Sequence, residues 1–259
     1  IEAGELPPCA EIVREKGPRR VWRLPDVAGG VLLKHFAVAP SEGYVFLVRP
    51  SRARREFRVM EAFRRRGVPS VRALGFGERW SGGRLAEAWF LGRLVPEAQT
   101  LSGVMEESTP GERRALTRQA LEVVAVLHDQ PYLHRDLHAG NVLLDGEGRL
   151  LIIDLHSAWR VPRLTPGMRA HNLARLLWSL RRWVSLDEAS ELLAGYAALR
   201  GEDLGALVAR FEGALAAYER DYTRGRVARC LRTGSGFAVE RLGTSRVFRS
   251  RSYERAELE

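Results

Sequence analysis

Between residues 134 and 154 the chain places three oxygen-bearing side chains at spacings that suit phosphoryl transfer: Asp136, Asn141 and Asp154. His134-Arg135-Asp136-Leu137-His138-Ala139-Gly140-Asn141 runs directly into the apolar Val142-Leu143-Leu144. Ile152-Ile153-Asp154-Leu155-His156 follows, with Asp154 thirteen residues after Asn141. The intervening Asp145-Gly146-Glu147-Gly148 is turn chemistry, so 142–153 is expected to fold as a β-hairpin. A hairpin returns its second strand to the end where the first began. Asn141 and Asp154 should therefore project into one small volume, with Asp136 on the loop just before. Hard oxygen ligands of this kind suit Mg2+, which keeps its other positions for water and phosphate. Two metal ligands plus a carboxylate that can orient an acceptor hydroxyl are the parts needed to move a phosphoryl group.

A lysine and a glutamate extend the set. Val31-Leu32-Leu33-Lys34 ends an apolar strand in a cation. In the helix expected from Ser51 to Arg66, Ala53, Phe57, Val59, Met60 and Phe63 define the apolar face at 100° per residue. Glu56 falls near the middle of that face, whereas Glu61 lies about 140° away among arginines. A carboxylate turned inward needs a cationic partner, and Lys34 is the one available.

The elements that must position these residues can be read from the same patterns. Residues 9–36 alternate as strands, with Gly29-Gly30 as a tight hairpin turn. The Ser51–Arg66 helix stops at Gly67 with Pro69 beyond, and residues 71–78 and 84–94 alternate again around Ser81-Gly82-Gly83. After Pro96, Thr109-Pro110-Gly111-Glu112 is a capping box that opens a helix carrying Leu116, Ala120, Val123, Val124 and Leu127. Further helices are expected near 168–184, 186–200 and 203–222, the second opened by the capping box Ser185-Leu186-Asp187-Glu188. The organisation expected is a β-rich N-lobe over 1–95, a mostly helical C-lobe over 96–223, and a basic extension over 224–259.

Asp136 through Asn141, followed by Asp154 past a short hairpin, resembles the catalytic loop and metal-binding Asp of the protein-kinase-like superfamily. The resemblance implies an α+β, bilobal fold with a five-stranded antiparallel N-lobe sheet, one inserted helix and a mostly helical C-lobe. It also implies ATP and Mg2+ as cofactors. By it, Asp136 is the catalytic base or hydroxyl-orienting group, Asn141 and Asp154 hold Mg2+, and Lys34 and Glu56 serve nucleotide binding. The superfamily's glycine-rich loop is absent. Glu15-Lys16-Gly17-Pro18-Arg19-Arg20, one glycine among basic side chains, stands between the first two strands. The hinge near Arg93-Leu94-Val95-Pro96-Glu97 should meet adenine through its backbone.

Three departures turn the reading away from a protein substrate. His138 gives the D-x-H-x-x-N form, which resembles sugar and antibiotic phosphotransferases. Asp154-Leu155-His156 replaces D-F-G, and only about a dozen residues separate Asp154 from the next helix. Ile153-Asp154-Leu155-His156-Ser157-Ala158, with Arg54-Arg55-Glu56-Phe57 through Gly67-Val68-Pro69-Ser70, is similar to the bacterial lipopolysaccharide-core (heptose and Kdo) kinases over residues 30–180. Asn172 departs from that family, which carries an aspartate bracing the catalytic loop there. An amide can still hydrogen-bond that backbone.

The acceptor implied is an anionic sugar or lipopolysaccharide core. The formal net charge of +9, carried almost wholly by arginine, suits such a partner or an anionic membrane surface. Eight arginines and one acid, Glu240, lie between Arg224 and Arg251, around a Thr233-Gly234-Ser235-Gly236 turn. No nucleic-acid motif accompanies the charge, so nucleic acid is not expected as a partner. Cys9 and Cys230 form neither a metal-ligand spacing nor a disulfide framework. No apolar run reaches the ~18–20 residues of a membrane span, and Ile1-Glu2-Ala3 lacks a secretory signal pattern. A monomer in the cytoplasm, peripheral to the inner face of the inner membrane, is expected. The competing readings are an aminoglycoside- or choline-type phosphotransferase and a nucleotide-binding pseudokinase.

Overall fold

The computed structural model describes residues 7–231, 233, 237–242 and 245–250. Ile1-Glu2-Ala3 and residues 234–236 of the expected glycine-serine turn lie outside them. Strands Glu11–Lys16 (β1), Arg19–Leu24 (β2), Val31–Ala37 (β3), Ala73–Ser81 (β4) and Arg84–Arg93 (β5) form one antiparallel sheet in the order β1-β2-β3-β5-β4. β1 and β2 are joined by Gly17-Pro18, with Gly17 at φ +56, a left-handed backbone that a residue without Cβ adopts at no steric cost. The β2–β3 connection is wider than the tight two-glycine turn expected. It spans residues 25–30, and Ala28, Gly29 and Gly30 all take positive φ.

Between β3 and β4 lies the inserted helix, Arg52–Arg65 (α1). Ser51 caps it by accepting the Arg54 amide, and Ala53, Glu56, Val59, Met60, Ala62 and Phe63 are buried. This face packs on β4 and β5 and reaches down to the turn Leu155–Ser157. The helix therefore belongs to both lobes, so any shift between lobes must move Glu56.

The second lobe starts with Gln99–Thr100 (β6), Leu101–Glu107 (α2) and Pro110–His128 (α3). Tyr132–His134 (β7) leads into the catalytic loop, and Val142–Leu144 (β8) pairs with Leu150–Ile152 (β9) in the expected hairpin. Ala158–Arg160 (β10) returns to pair with β7. Helices Pro166–Leu180 (α4), Leu186–Arg200 (α5) and Leu204–Cys230 (α6) complete the lobe. Both capping boxes form, at Thr109/Glu112 and Ser185/Glu188. α6 runs eight residues past the end expected at 222. A hairpin of Phe237–Leu242 (β11) and Ser245–Ser250 (β12) follows and packs on α6. Its turn falls between Leu242 and Ser245, not at the Thr233–Gly236 run. No helix among the described residues is long and apolar enough to cross a membrane.

A buried polar chain holds the loop that follows β7 to the helices. The Tyr196 hydroxyl donates to His128 Nδ1 at 2.8 Å, and His128 Nε2 donates to Asn172 Oδ1 at 3.3 Å. Asn172 Nδ2 then donates to the His134 carbonyl at 2.8 Å. Asn172 is wholly buried, and its amide both accepts and donates. A carboxylate there could not donate to that carbonyl.

Burial keeps His128 neutral, its pKa pushed down to about 3 from an ordinary 6.5. Between those values the unfolded chain binds a proton that the folded chain refuses. The stability is therefore complete above pH 6.5 and lost as pH falls toward 3. His134, pushed down to about 4 by burial, acts in the same direction. Urea unfolding should lose at least ~1 kcal/mol between pH 7 and pH 5.5. Equal stability at the two pH values would contradict a neutral, buried His128.

Candidate active site

Lys34 lies on β3, the middle strand of the sheet, cross-strand from Val21 and Phe90. Its Nζ sits 2.5 Å from Glu56 Oε1 and 3.4 Å from Asp154 Oδ1, with the Phe90 ring centroid at 5.6 Å. Glu56 is wholly buried, and its second oxygen, Oε2, has no hydrogen-bond partner. Desolvating a carboxylate this completely is tolerable only while the cation stays in place. Lys34 is one of just two lysines among 41 basic residues. Its compact ammonium can serve two carboxylates in a space that a planar guanidinium would not fit in the same way.

The hairpin β8–β9 brings Asn141 and Asp154 to the same end, as its turn chemistry requires. Ile153 donates its amide to the Asn141 carbonyl at 3.0 Å, locking the two ends together. Asp154 takes φ 62 and ψ 41, a left-handed conformation uncommon for a residue with a side chain. Three cationic or donor groups hold its carboxylate. Arg19 is bidentate at 3.0 and 3.3 Å, Lys34 stands at 3.4 Å, and His156 Nδ1 lies 2.7 Å away. Burial alone would raise the Asp154 pKa. The His156 hydrogen bond and the charges of Lys34, His156 and Arg19 overcome it and hold the carboxylate far below its usual range.

Asp136 is half-exposed beside this group. Asn141 Nδ2 donates to the Asp136 carbonyl at 2.8 Å and approaches its carboxylate at 3.5 Å. Arg175 from α4 donates to Asp136 Oδ1 at 2.6 Å, and His138 Nε2 stands 3.7 Å from Oδ2. The approach of His138 is the largest influence on Asp136, and with Arg175 it holds the carboxyl below its ordinary pKa. His138 Nδ1 accepts the Gly140 amide, and Gly140 packs so closely that an added Cβ would lie 2.9 Å from the imidazole.

Lys34, Asn141 and Asp154 line a cleft of about 340 Å3 between the lobes. Its inner walls are apolar, built from residues such as Val21, Leu32, Met60, Phe90, Leu143 and Ile153, and the hinge contributes Leu94 and Val95. A slot of this size and lining suits a flat heteroaromatic ring. Of the charged groups lining it, Arg14, Arg19, Arg23, Lys34 and Arg93 are cationic and only Asp154 is anionic, a balance made for a polyanion. The donor set also fits Mg2+. Asn141 has spent its amide nitrogen on Asp136, which leaves Oδ1 as a hard oxygen beside the Asp154 carboxylate. Glu56, Asp154 and His156 likewise bring one ligand atom each within 4.8 Å of one another. The Glu56 and Asp154 oxygens there are already bonded to Lys34, and His156 to Asp154.

Of the five residues singled out in the sequence, Lys34, Asn141 and Asp154 line the cleft, Glu56 is buried behind Lys34, and Asp136 stands beside Asn141. Two further residues were not legible as members. Arg175 reaches Asp136 from three positions after Asn172 on α4, a spacing visible only once Asn172 is placed. Arg19 was visible only as one of several basic side chains between the first two strands, read either as a cover for phosphates or as an ordinary surface turn. Strand alternation separates it from its neighbour, since Arg19, Val21 and Arg23 face the cleft while Arg20 pairs outward with Glu15.

The family described as lipopolysaccharide kinase (Kdo/WaaP) matches residues 41–196. A solved structure of WaaP in complex with acyl carrier protein superimposes with a TM-score of 0.63 at 23% identity, covering 83% of this chain and 88% of that one. The chain is thus similar in fold to a WaaP kinase, bilobal and protein-kinase-like. Local similarity extends to mitogen-activated protein kinase kinase kinase bck1 of Aspergillus fumigatus, 52% identical over 52 residues, 20% of this chain and 3% of that protein. The serine/threonine-protein kinase PITSLRE of Drosophila melanogaster is 43% identical over 56 residues, 22% of this chain and 6% of that protein. The chain spans only those small fractions of the two curated relatives.

Because Glu56 is buried with one partner cation, removing either member strands the other. Lys34→Met and Glu56→Leu should each destabilise the fold by about 3–5 kcal/mol. The double variant should recover much of that loss in thermal melting. Additive losses would show that the two charges are not coupled.

Proposed function

The chain belongs to the lipopolysaccharide kinase (Kdo/WaaP) family, and from that premise we propose that it is an ATP-dependent kinase phosphorylating a sugar hydroxyl, on heptose or Kdo, of the lipopolysaccharide core. The observation that carries the reading is a cleft lined by Lys34, Asn141 and Asp154, apolar within and rich in cations, with Glu56 paired behind Lys34 and Asp136 beside Asn141. The base enters the apolar slot and the phosphates lie toward Lys34 and Asp154. Asn141 Oδ1 and Asp154 would hold Mg2+, which would supply charge neutralisation for the phosphates.

Asp136 accepts a hydrogen bond from the acceptor hydroxyl and aims its oxygen at the γ-phosphorus. The new O–P bond forms as the bond between the γ-phosphorus and the β–γ bridging oxygen breaks. ADP departs with that oxygen, and the hydroxyl proton passes to Asp136. Phosphoryl transfer passes through a loose transition state, so positioning matters more than basicity, and a carboxylate kept ionised by His138 and Arg175 suffices. Arg19 takes the part that a glycine-rich loop plays elsewhere. It exchanges its bond to Asp154 for the incoming phosphates and covers them with a side chain instead of backbone amides. The acceptor resides in the cytoplasmic leaflet, where the arginine-rich stretch 224–251 meets anionic lipid.

Incubation with heptose-, Kdo- and aminoglycoside-bearing acceptors, read by mass spectrometry, should show phosphate only on the lipopolysaccharide sugars. Transfer confined to aminoglycoside or to protein would overturn the proposal. Asp136→Asn should lower kcat by about 10^2–10^4 with nucleotide affinity kept. Arg19→Ala should reduce kcat/KM for ATP by about ten- to a hundredfold, ~1.4–2.8 kcal/mol, while Arg20→Ala leaves it unchanged. Equal effects at the two positions would deny Arg19 a part in holding phosphates.

A further inference from the structure

Outside the nucleotide cleft, where α1 meets β10 beside the catalytic loop, four arginines converge without an acid among them. Arg49 precedes the α1 cap, Arg52 opens the helix, Arg55 follows one turn later and Arg135 comes from the catalytic loop. The Arg55 guanidinium lies 4.0 Å over the Trp159 ring and that of Arg135 lies 5.1 Å from it, so one half-exposed indole carries two cations. Arg55 Nη1 also donates to the His156 carbonyl at 3.2 Å, and its Nε is buried without a partner.

None of the four is ion-paired among the described residues. Three partly buried arginines of the C-lobe do have carboxylates, at Arg169–Glu202, Arg175–Asp136 and Arg200–Asp129. Burial first, then repulsion from Arg52, Arg135 and Arg49, lowers the Arg55 pKa, and no acid opposes them. Four unopposed cations at the positive end of a 14-residue helix, two of them stacked on Trp159, make a strongly electropositive surface. A fold keeps such repulsion where a ligand supplies the opposite charge. Guanidinium forks fit phosphate oxygens two at a time, and stacking on Trp159 fixes the planes of two of them. A dianionic phosphate answers four charges better than a single carboxylate does.

We propose that Arg49, Arg52, Arg55 and Arg135 form a phosphate-binding site. Resting on the function proposed above for the identity of its ligand, we assign it to a phosphate group that the acceptor already carries, away from the hydroxyl being modified. The four do not line the nucleotide cleft, which argues against an ATP phosphate. The site adjoins the catalytic base instead. Arg135 precedes Asp136, and Trp159 pairs across the strands with Leu133. Bound there, an acceptor phosphate would fix the register in which a sugar hydroxyl reaches Asp136. Arg55, through the His156 carbonyl, would tie that binding to the turn holding Asp154.

The test uses the full chain with its nucleotide cleft saturated by Mg2+ and ADP. It is titrated with lipopolysaccharide core oligosaccharide before and after phosphatase treatment, and with inorganic phosphate. The untreated oligosaccharide should bind at least tenfold more tightly than the treated one. Arg49→Gln/Arg52→Gln, two exposed positions, should abolish that difference while ADP affinity and thermal melting stay unchanged. Inorganic phosphate should compete only at concentrations at least tenfold higher. Equal affinity for the two oligosaccharides, a double variant that still discriminates, or inorganic phosphate binding as tightly as the sugar would each overturn the assignment. Discrimination that persists in a protein lacking kinase activity would support the site and remove the proposed function, so the two fail separately.

Discussion

The buried contact between Lys34 and Glu56 is the constraint on which the rest of the molecule depends. Glu56 has lost all its water and offers one oxygen to a single lysine, leaving the other without a partner. Such a pair holds only if the strand and helix carrying it are fixed within a fraction of an ångström. That requirement explains why α1 is clamped on both sides, by β4 and β5 above and by the Leu155–Ser157 turn below. Because Lys34 also faces Asp154, the same ammonium links the N-lobe sheet, the inserted helix and the turn that follows β9. Displacing any of the three exposes a buried charge.

Around that centre the protein spends arginines where other folds spend glycines or acids. Arg19 holds Asp154, Arg175 holds Asp136 and Arg55 holds the carbonyl of His156. Each is a long side chain from a different element reaching one short segment. The positions of the Asp136 and Asp154 carboxylates are therefore set by charge as well as by backbone. The excess of cations over anions in the cleft, and in the cluster at Trp159, follows from the same usage.

A neutral polar chain supports this charged layer from behind. Tyr196, His128 and Asn172 pass hydrogen bonds inward to the His134 carbonyl, and His134 passes one from Nε2 to the Ile153 carbonyl. The catalytic loop is thereby tied both to α4 and to the strand ending at Asp154. Each histidine has one donor and one acceptor nitrogen, which defines its tautomer, and Asn172 both accepts and donates.

Local physics made much of this legible. The turn residues of 145–148 closed the β8–β9 hairpin, so Asn141 and Asp154 had to share an end, and two capping boxes marked α3 and α5. Helical periodicity turned Glu56 inward, and a desolvated carboxylate demanded a nearby cation. Where the reading fell short, the determinant was not local. α6 continued to Cys230, and the last hairpin, packed on α6, pairs Leu242 with Ser245. The left-handed backbone of Asp154 carries no glycine to announce it, being held by charges from three other places in the chain. Arg19, Arg175 and the four arginines near Trp159 lie among 41 basic residues of nearly one type. Sequence alone determined which residues can do chemistry, because hairpins, caps and helical faces are governed by neighbours a few positions apart. Only the tertiary structure decided which cations serve them, because a guanidinium's partner is set by what lies at the end of its side chain and not by what adjoins it along the backbone.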